Sequence, residues 1–254
     1  MAIQVVLSPS KLLKEDGAKP RFCKITIPSF ISNSKQLAKD LLVYDVSFWE
    51  KKLGVKREVA EKSMNWLMHV SRADFNTVSS PAACMFQGEA FKYLQAESFS
   101  KQEWDWASKN LFILSGLYGI LRATDAVLPY RLMIGTPVSG GNAKNLYDYW
   151  HENVNTFLNA YPRTNRILNC ASEEYSKVLD RQLFPNQIID VQFLQRKGKE
   201  LKQIATISKQ SRGAMARFVI QNKISKTESL FDFQEMGYSF EESRSTENNL
   251  VFVR

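Results

Sequence analysis

The run Leu114-Ser115-Gly116-Leu117-Tyr118-Gly119-Ile120-Leu121-Arg122, with Pro129-Tyr130-Arg131 close behind, holds the residue types best suited to gripping a ligand. An apolar stretch, Phe112 to Leu114, breaks into two glycines that bracket Leu117 and Tyr118. That pattern predicts a buried strand ending in a tight turn. Glycine has no Cβ to keep a ligand away from the backbone. Arginine adds planar, charge-assisted donors for phosphate or carboxylate. Spacing alone equally allows a glycine-pinned turn with two surface arginines. No Gly-Lys-Ser/Thr follows, and the glycines lack dinucleotide-fingerprint spacing, so neither a Walker loop nor that fingerprint is present.

A second group of candidates comes from strand ends. Lys11 stands just past the apolar run Ile3 to Leu7, and Glu174 lies in the polar turn that follows Arg166 to Asn169. With Asp125 they could form a site at the carboxyl ends of strands, where open α/β sheets bind ligands. Lys11 could act there as a nucleophile if burial lowered its pKa. A phosphate anchor or a solvated lysine is the other reading of Lys11. Metal chemistry has less support, since His69 and His151 are isolated and Cys23, Cys84 and Cys170 are far apart. The residues imply no metal site, no cofactor and no disulfide framework.

The elements that must position these residues follow from periodicity. Expected strands are Ile3–Leu7, Phe22–Ile27, Ala82–Phe86, Phe112–Ser115, Tyr130–Ile134 and Arg166–Asn169. Ile188–Leu194 and Leu201–Ile207 flank Arg196-Lys197-Gly198-Lys199 as a hairpin, and Gly237–Phe240 pairs with Leu250–Val253. Expected helices run from Pro28-Ser29 to Leu42, over Val46–Leu53 and Arg57–Val70, after the Ser100-to-Glu103 capping box, over Asn145–Tyr161, and over Ser211–Gln221. Trp104 and Trp106 read as packing residues. Strands and helices interleave with no linker or repeat, which predicts one α/β domain over 1–254 with a mixed sheet and surrounding helices.

Between the second and third helices stands Leu53-Gly54-Val55-Lys56. Hydrophobic-Gly-hydrophobic between short helices is the pattern of a helix-hairpin-helix element over about residues 46–70. Its free amides and the positive end of the second helix could hold a phosphate, with Gly54 and Lys56 as the contact residues. A plain αα-corner capped by Gly54 fits the same residues.

Bulk properties point the same way. The 254 residues carry a formal net charge of +8, which favours an anionic partner. From Arg196 to Lys226 nine basic residues face only Glu200; Lys209, Arg212 and Arg217 are among them. That block reads either as a cationic groove wall or as a solvated face. There is no run long and apolar enough to span a membrane and no signal peptide, so a cytoplasmic, reduced protein is expected.

Several islands taken together resemble the YaaA family, bacterial proteins linked to peroxide stress. They are Leu7-Ser8-Pro9-Ser10-Lys11, Phe86-Gln87-Gly88-Glu89, Leu94 to Glu97, Leu114 to Arg122 with Asp125, and Pro129 to Leu132. Asn145-Leu146-Tyr147 with Trp150, Asn169 with Ala171-Ser172 and Glu174-Tyr175, Arg212 to Phe218, Gly237-Tyr238, and Phe252 with Arg254 complete the set. The resemblance implies one compact α/β domain with a basic cleft and a helix-hairpin-helix element. It implies DNA binding by structure rather than sequence, limiting iron- and peroxide-driven DNA damage, and it makes Lys11, Arg122, Tyr130, Arg131, Lys209 and Arg212 cleft candidates. A monomer acting on duplex or distorted DNA, away from membranes, is expected. An enzyme acting on a nucleotide or damaged base in the same cleft is the alternative. The chain departs from the family at Phe91, Tyr93, Ala123 and Met133, and Lys56-Arg57-Glu58 replaces Ser-Asp-Lys. Met133 stands where the family has Glu, which counts against acid-base chemistry shared across the family.

Overall fold

Five consecutive buried side chains, Ile3 to Leu7, leave no solvent face. A strand of that kind must be covered on both sides, as in a parallel sheet. The computed structural model describes residues 2–18, 20–78, 80–162, 166–198 and 200–254 and places this strand mid-sheet.

In chain order the elements are β1 (Ile3–Leu7), α1 (Ile31–Leu41), α2 (Val46–Leu53), α3 (Arg57–Arg72), α4 (Ala82–Met85), α5 (Glu89–Leu94) and α6 (Lys101–Asn110). There follow β2 (Leu111–Ser115), β3 (Gly119–Arg122), α7 (Leu146–Asn159), β4 (Arg166–Cys170) and α8 (Glu173–Ser176). The last are β5 (Ile188–Lys197), β6 (Glu200–Lys202), α9 (Ala205–Gln221), β7 (Ser239–Phe240) and β8 (Asn249–Val253). The fold is mixed α/β, with one sheet of order β3-β2-β1-β4-β5-β8-β7 and β6 paired to β5.

β2, β1, β4, β5 and β8 are parallel, while β3 and β7 add antiparallel edges. Leu7 pairs with Ile113 on one side and Cys170 on the other, so β1 and β4 end level while β2 runs on to Ser115. The chain leaves β1 toward β2 and β3, then returns across β1 to β4. The β1/β4 junction is therefore a topological switch point, and its carboxyl end opens a crevice.

Local chemistry sets the helix starts. Asp45 caps α2 by accepting from the Phe48 N–H at 2.8 Å, and Asn145 caps α7 from Asp148 N–H at 2.9 Å. The capping box at Ser100 and Glu103 is formed. Trp104 is buried and Trp106 half-buried, in keeping with packing roles.

Four expected strands differ. Phe22–Ile27 is irregular, with only a single bridge from Thr26 to Asp125, and Phe22 and Ile27 face solvent. Ala82–Met85 is a short helix after Pro81; a four-residue apolar run that is wholly buried satisfies either period. Tyr130–Ile134 pairs with no strand, and its backbone lies against Gly116 past the end of β2. Leu201 stays in β6, but Ala205–Ile207 open α9, which starts ahead of the expected Ser211 because Ser208 and Ser211 face the interior at helical spacing. Lys199 in the hairpin turn lies outside the described residues.

Candidate functional site

A cavity of about 570 Å³ opens at the carboxyl end of the switch point. Loops after β1 and β4 form its floor. The Ser172 N–H donates to Ser8 Oγ at 2.8 Å, and the two hydroxyls stand 3.1 Å apart, tying the loops together. Asn169 supports the second loop: its Oδ1 accepts from the Ala171 N–H at 3.1 Å, and its Nδ2 donates to Asp190 at 2.7 Å.

The walls come from α5, the Tyr130–Met133 segment and α9. Lys209 and Arg212 are three residues apart on α9 and so share a face toward the cavity. Gly213 lets α9 approach closely, because a Cβ there would strike the backbone of Ala90 on α5. Glu89 reinforces the contact by accepting from Gln210 Nε2 at 2.6 Å.

Four cations line the cavity: Lys11, Arg131, Lys209 and Arg212. None has an ion-pair partner among the described residues. The Nε atoms of Arg131 and Arg212 are buried without a hydrogen-bond partner. Burial depresses the Arg212 pKa, and the nearby Cys170 acts in the opposite direction. A guanidinium with one N–H shielded from water and no partner in exchange is a costly arrangement, and an anion on its other donors would offset it.

Three carboxylates also line the cavity. Glu89 is held by Lys92 at 2.6 Å and by Gln210, and these bonds keep its pKa below the usual range. Glu173 lies 3.6 Å from Lys177. Glu174 is exposed, and its backbone carbonyl accepts from Tyr147 at 2.9 Å. The uncompensated charge is therefore positive. A second hollow of about 330 Å³ is lined, among the described residues, by Glu15, Asp16 and Asp74 with no Lys or Arg.

The structure thus brings together Lys11, Tyr130, Arg131, Glu174, Lys209 and Arg212. Tyr130 is a wall residue whose hydroxyl is engaged with Ser115 Oγ at 2.7 Å, and burial raises its pKa. Arg122 and Asp125 do not line the cavity. Arg122 donates to Ser29 Oγ at 2.9 Å and covers the Phe157 ring at 4.9 Å. Asp125 is fully buried, accepting from Thr26 Oγ1 at 2.7 Å and the Arg122 N–H at 2.8 Å. Burial raises its pKa against those bonds, and its contacts are internal to the fold.

Gly54 ends α2 in the left-handed conformation, and exposed Lys56 caps α3; neither lines the cavity. The glycine turn after β2 is also a packing device. Gly116 abuts the backbone of Leu132 to Ile134, its carbonyl accepts from Trp150 Nε1 at 2.9 Å, and Gly119 at φ +70° faces the Trp150 ring. The basic block after Arg196 divides as well. Among its described residues only Lys209 and Arg212 reach the cavity, while Arg217 donates to the Leu94 carbonyl and Lys223 to Gln102. Ser8, Ser172 and Cys170 were not among the cleft candidates; their positions after β1 and at the end of β4 were the available signal.

Among the described residues no three His, Cys, Asp or Glu converge as a metal site, and no helix is long and apolar enough to cross a membrane.

Comparison with known proteins adds the family. The profile described as "Peroxide stress protein YaaA" matches residues 3–244. A UPF0246 protein of Ruegeria pomeroyi is 34% identical over 253 residues, covering 98% of each chain. A UPF0246 protein of Crocosphaera subtropica is 37% identical over 254 residues, covering 98% of this chain and 99% of its own, and one from Legionella pneumophila strain Corby is 34% identical over 98% of both. On that nearly end-to-end match, the chain belongs to the YaaA family of peroxide stress proteins.

Proposed function

We propose that this protein binds DNA in the switch-point cavity, gripping backbone phosphates with Lys11, Arg131, Lys209 and Arg212. Binding there would limit iron- and peroxide-driven damage in the cytoplasm and would follow DNA structure rather than sequence. The observation that carries the reading is the convergence of four cations, none ion-paired, in one concave place. Phosphate contacts position nucleic acid without reading bases. The Gly54–Lys56 turn supplies a second, outlying phosphate contact.

Fluorescence anisotropy with duplex, bubble and single-stranded DNA at two salt concentrations tests this. The expected result is affinity that falls with salt, by about 0.9 in log–log slope per phosphate neutralised on duplex. Salt-independent binding, or none at low salt, removes the reading.

The cavity's place at strand carboxyl ends favours a second reading, an enzyme acting on a nucleotide or damaged base. Lys11, exposed rather than buried as that role was expected to need, would be the nucleophile and Glu174 its acid-base partner, without Asp125. Borohydride trapping on damaged DNA decides it: an adduct lost in Lys11→Ala supports catalysis, and no adduct opposes it.

A further inference from the structure

A whole duplex is too broad to enter the switch-point cavity and can meet it only along its phosphate backbone. The volume of about 570 Å³ falls within the roughly 300–1,000 Å³ of small-ligand sites. Its lining has two chemistries. Arg131 and Arg212 bring guanidinium groups with no ion-pair partner among the described residues, while Phe91, Leu132, Met133 and Tyr175 supply an apolar surface. A ligand with an anionic head and an apolar, planar body matches both. One nucleotide has that composition.

The rim carries an independent observation. Leu12 lines the cavity yet is 62% exposed, the most exposed large apolar side chain bordering it. Its backbone is held firmly. The Leu12 N–H donates to Ser10 Oγ at 3.0 Å, its carbonyl accepts from the Gln87 N–H at 2.9 Å, and Leu13 bridges to Phe86. An apolar side chain on a fixed backbone, beside exposed Lys11 and on the same cavity as exposed Lys209, has the character of a wedge. Proteins that distort DNA insert such side chains between base steps.

We propose that the cavity takes a single nucleotide drawn out of the DNA stack, with its phosphate on Arg131 and Arg212, its base on the apolar wall and Leu12 in the gap it leaves. The inference rests on the DNA-binding reading and specifies what enters the site. It predicts a preference for distorted DNA, because an unpaired nucleotide leaves the stack at lower cost than a paired one. Lys11 and Lys209 then hold the flanking phosphates at the rim.

The test uses the full chain and 2-aminopurine, which brightens when unstacked, placed in a paired duplex and in a bubble. The expected result is a fluorescence rise on binding and several-fold tighter binding of the bubble. Leu12→Ala, at an exposed position, should keep the thermal midpoint of the native chain yet lose the rise and the bubble preference. Met133→Trp, which fills the cavity, should lose both as well. Equal, salt-dependent binding of duplex and bubble with no brightening overturns the inference and leaves backbone binding standing. Failure to bind any of these DNAs at low salt overturns both.

Discussion

Ser8 Oγ accepts the Ser172 N–H at 2.8 Å, joining the loop that leaves β1 to the loop that leaves β4. This bond closes the floor of the cavity across the switch point. Because the acceptor is the Ser8 side chain and the donor is backbone, the two serines are not equivalent. Ser8→Ala leaves the Ser172 N–H without a partner and should cost about 1–3 kcal/mol. Ser172→Ala keeps that N–H bond and should cost roughly 1 kcal/mol or less. Urea unfolding of the two variants checks the order, and equal losses would contradict it.

Arg131 and Arg122 offer a contrast within one sequence island. Arg131→Gln and Arg212→Gln should each weaken DNA binding and lower the salt slope by about 0.9 on duplex. Arg122→Gln should leave the slope unchanged, because its guanidinium is already committed to Ser29 and Phe157. Anisotropy titrations across a salt series read the difference. A reduced slope in Arg122→Gln would place DNA outside the switch-point cavity.

Gly213 sets how closely α9 sits on α5. A methyl group there would meet the Ala90 backbone, which cannot rotate away. Gly213→Ala should therefore destabilise by roughly 1–3 kcal/mol through overpacking. It should also shift Arg212 and reduce affinity for bubble DNA more than the stability loss explains. Melting curves and binding at a temperature where both proteins are folded separate the two effects.

The cysteines invite a redox reading in a peroxide stress family, and their surroundings oppose it. Burial pushes the Cys23, Cys84 and Cys170 thiols each up to about 12. The thiolate is the reactive form, so peroxide and thiol reagents should label the native chain far more slowly than the unfolded chain at pH 7. The linkage sign also follows. These thiols are raised above their unfolded pKa of about 8.5. Their contribution to stability is therefore full below that pH and falls as pH rises toward about 12. Replacing Cys84 and Cys170 with alanine should flatten stability across that alkaline window, as denaturant midpoints at pH 8 and 10 would show.

Much of this molecule was legible in the chain. β1, β2 and β4 follow from apolar runs too short and too complete for an exposed face, and α2, α3 and α6 follow from caps and spacing. These are local effects, set by neighbours within a turn. The resemblance to the YaaA family was likewise carried by residues in order, and the comparisons bear it out. Ala82–Met85 and Tyr130–Ile134 misled because an apolar run says that a segment is buried and does not say what it pairs with. Tertiary structure alone decided which cations meet. Arg122 and Arg131 look like partners in the sequence, yet β3 carries Arg122 onto Phe157 while the chain past Pro129 brings Arg131 to the cavity with Arg212. The physical reason is that the side chains of a sheet are sorted by strand order and face. Here the return across β1 to β4, a contact between residues distant along the chain, placed the hollow and chose its walls.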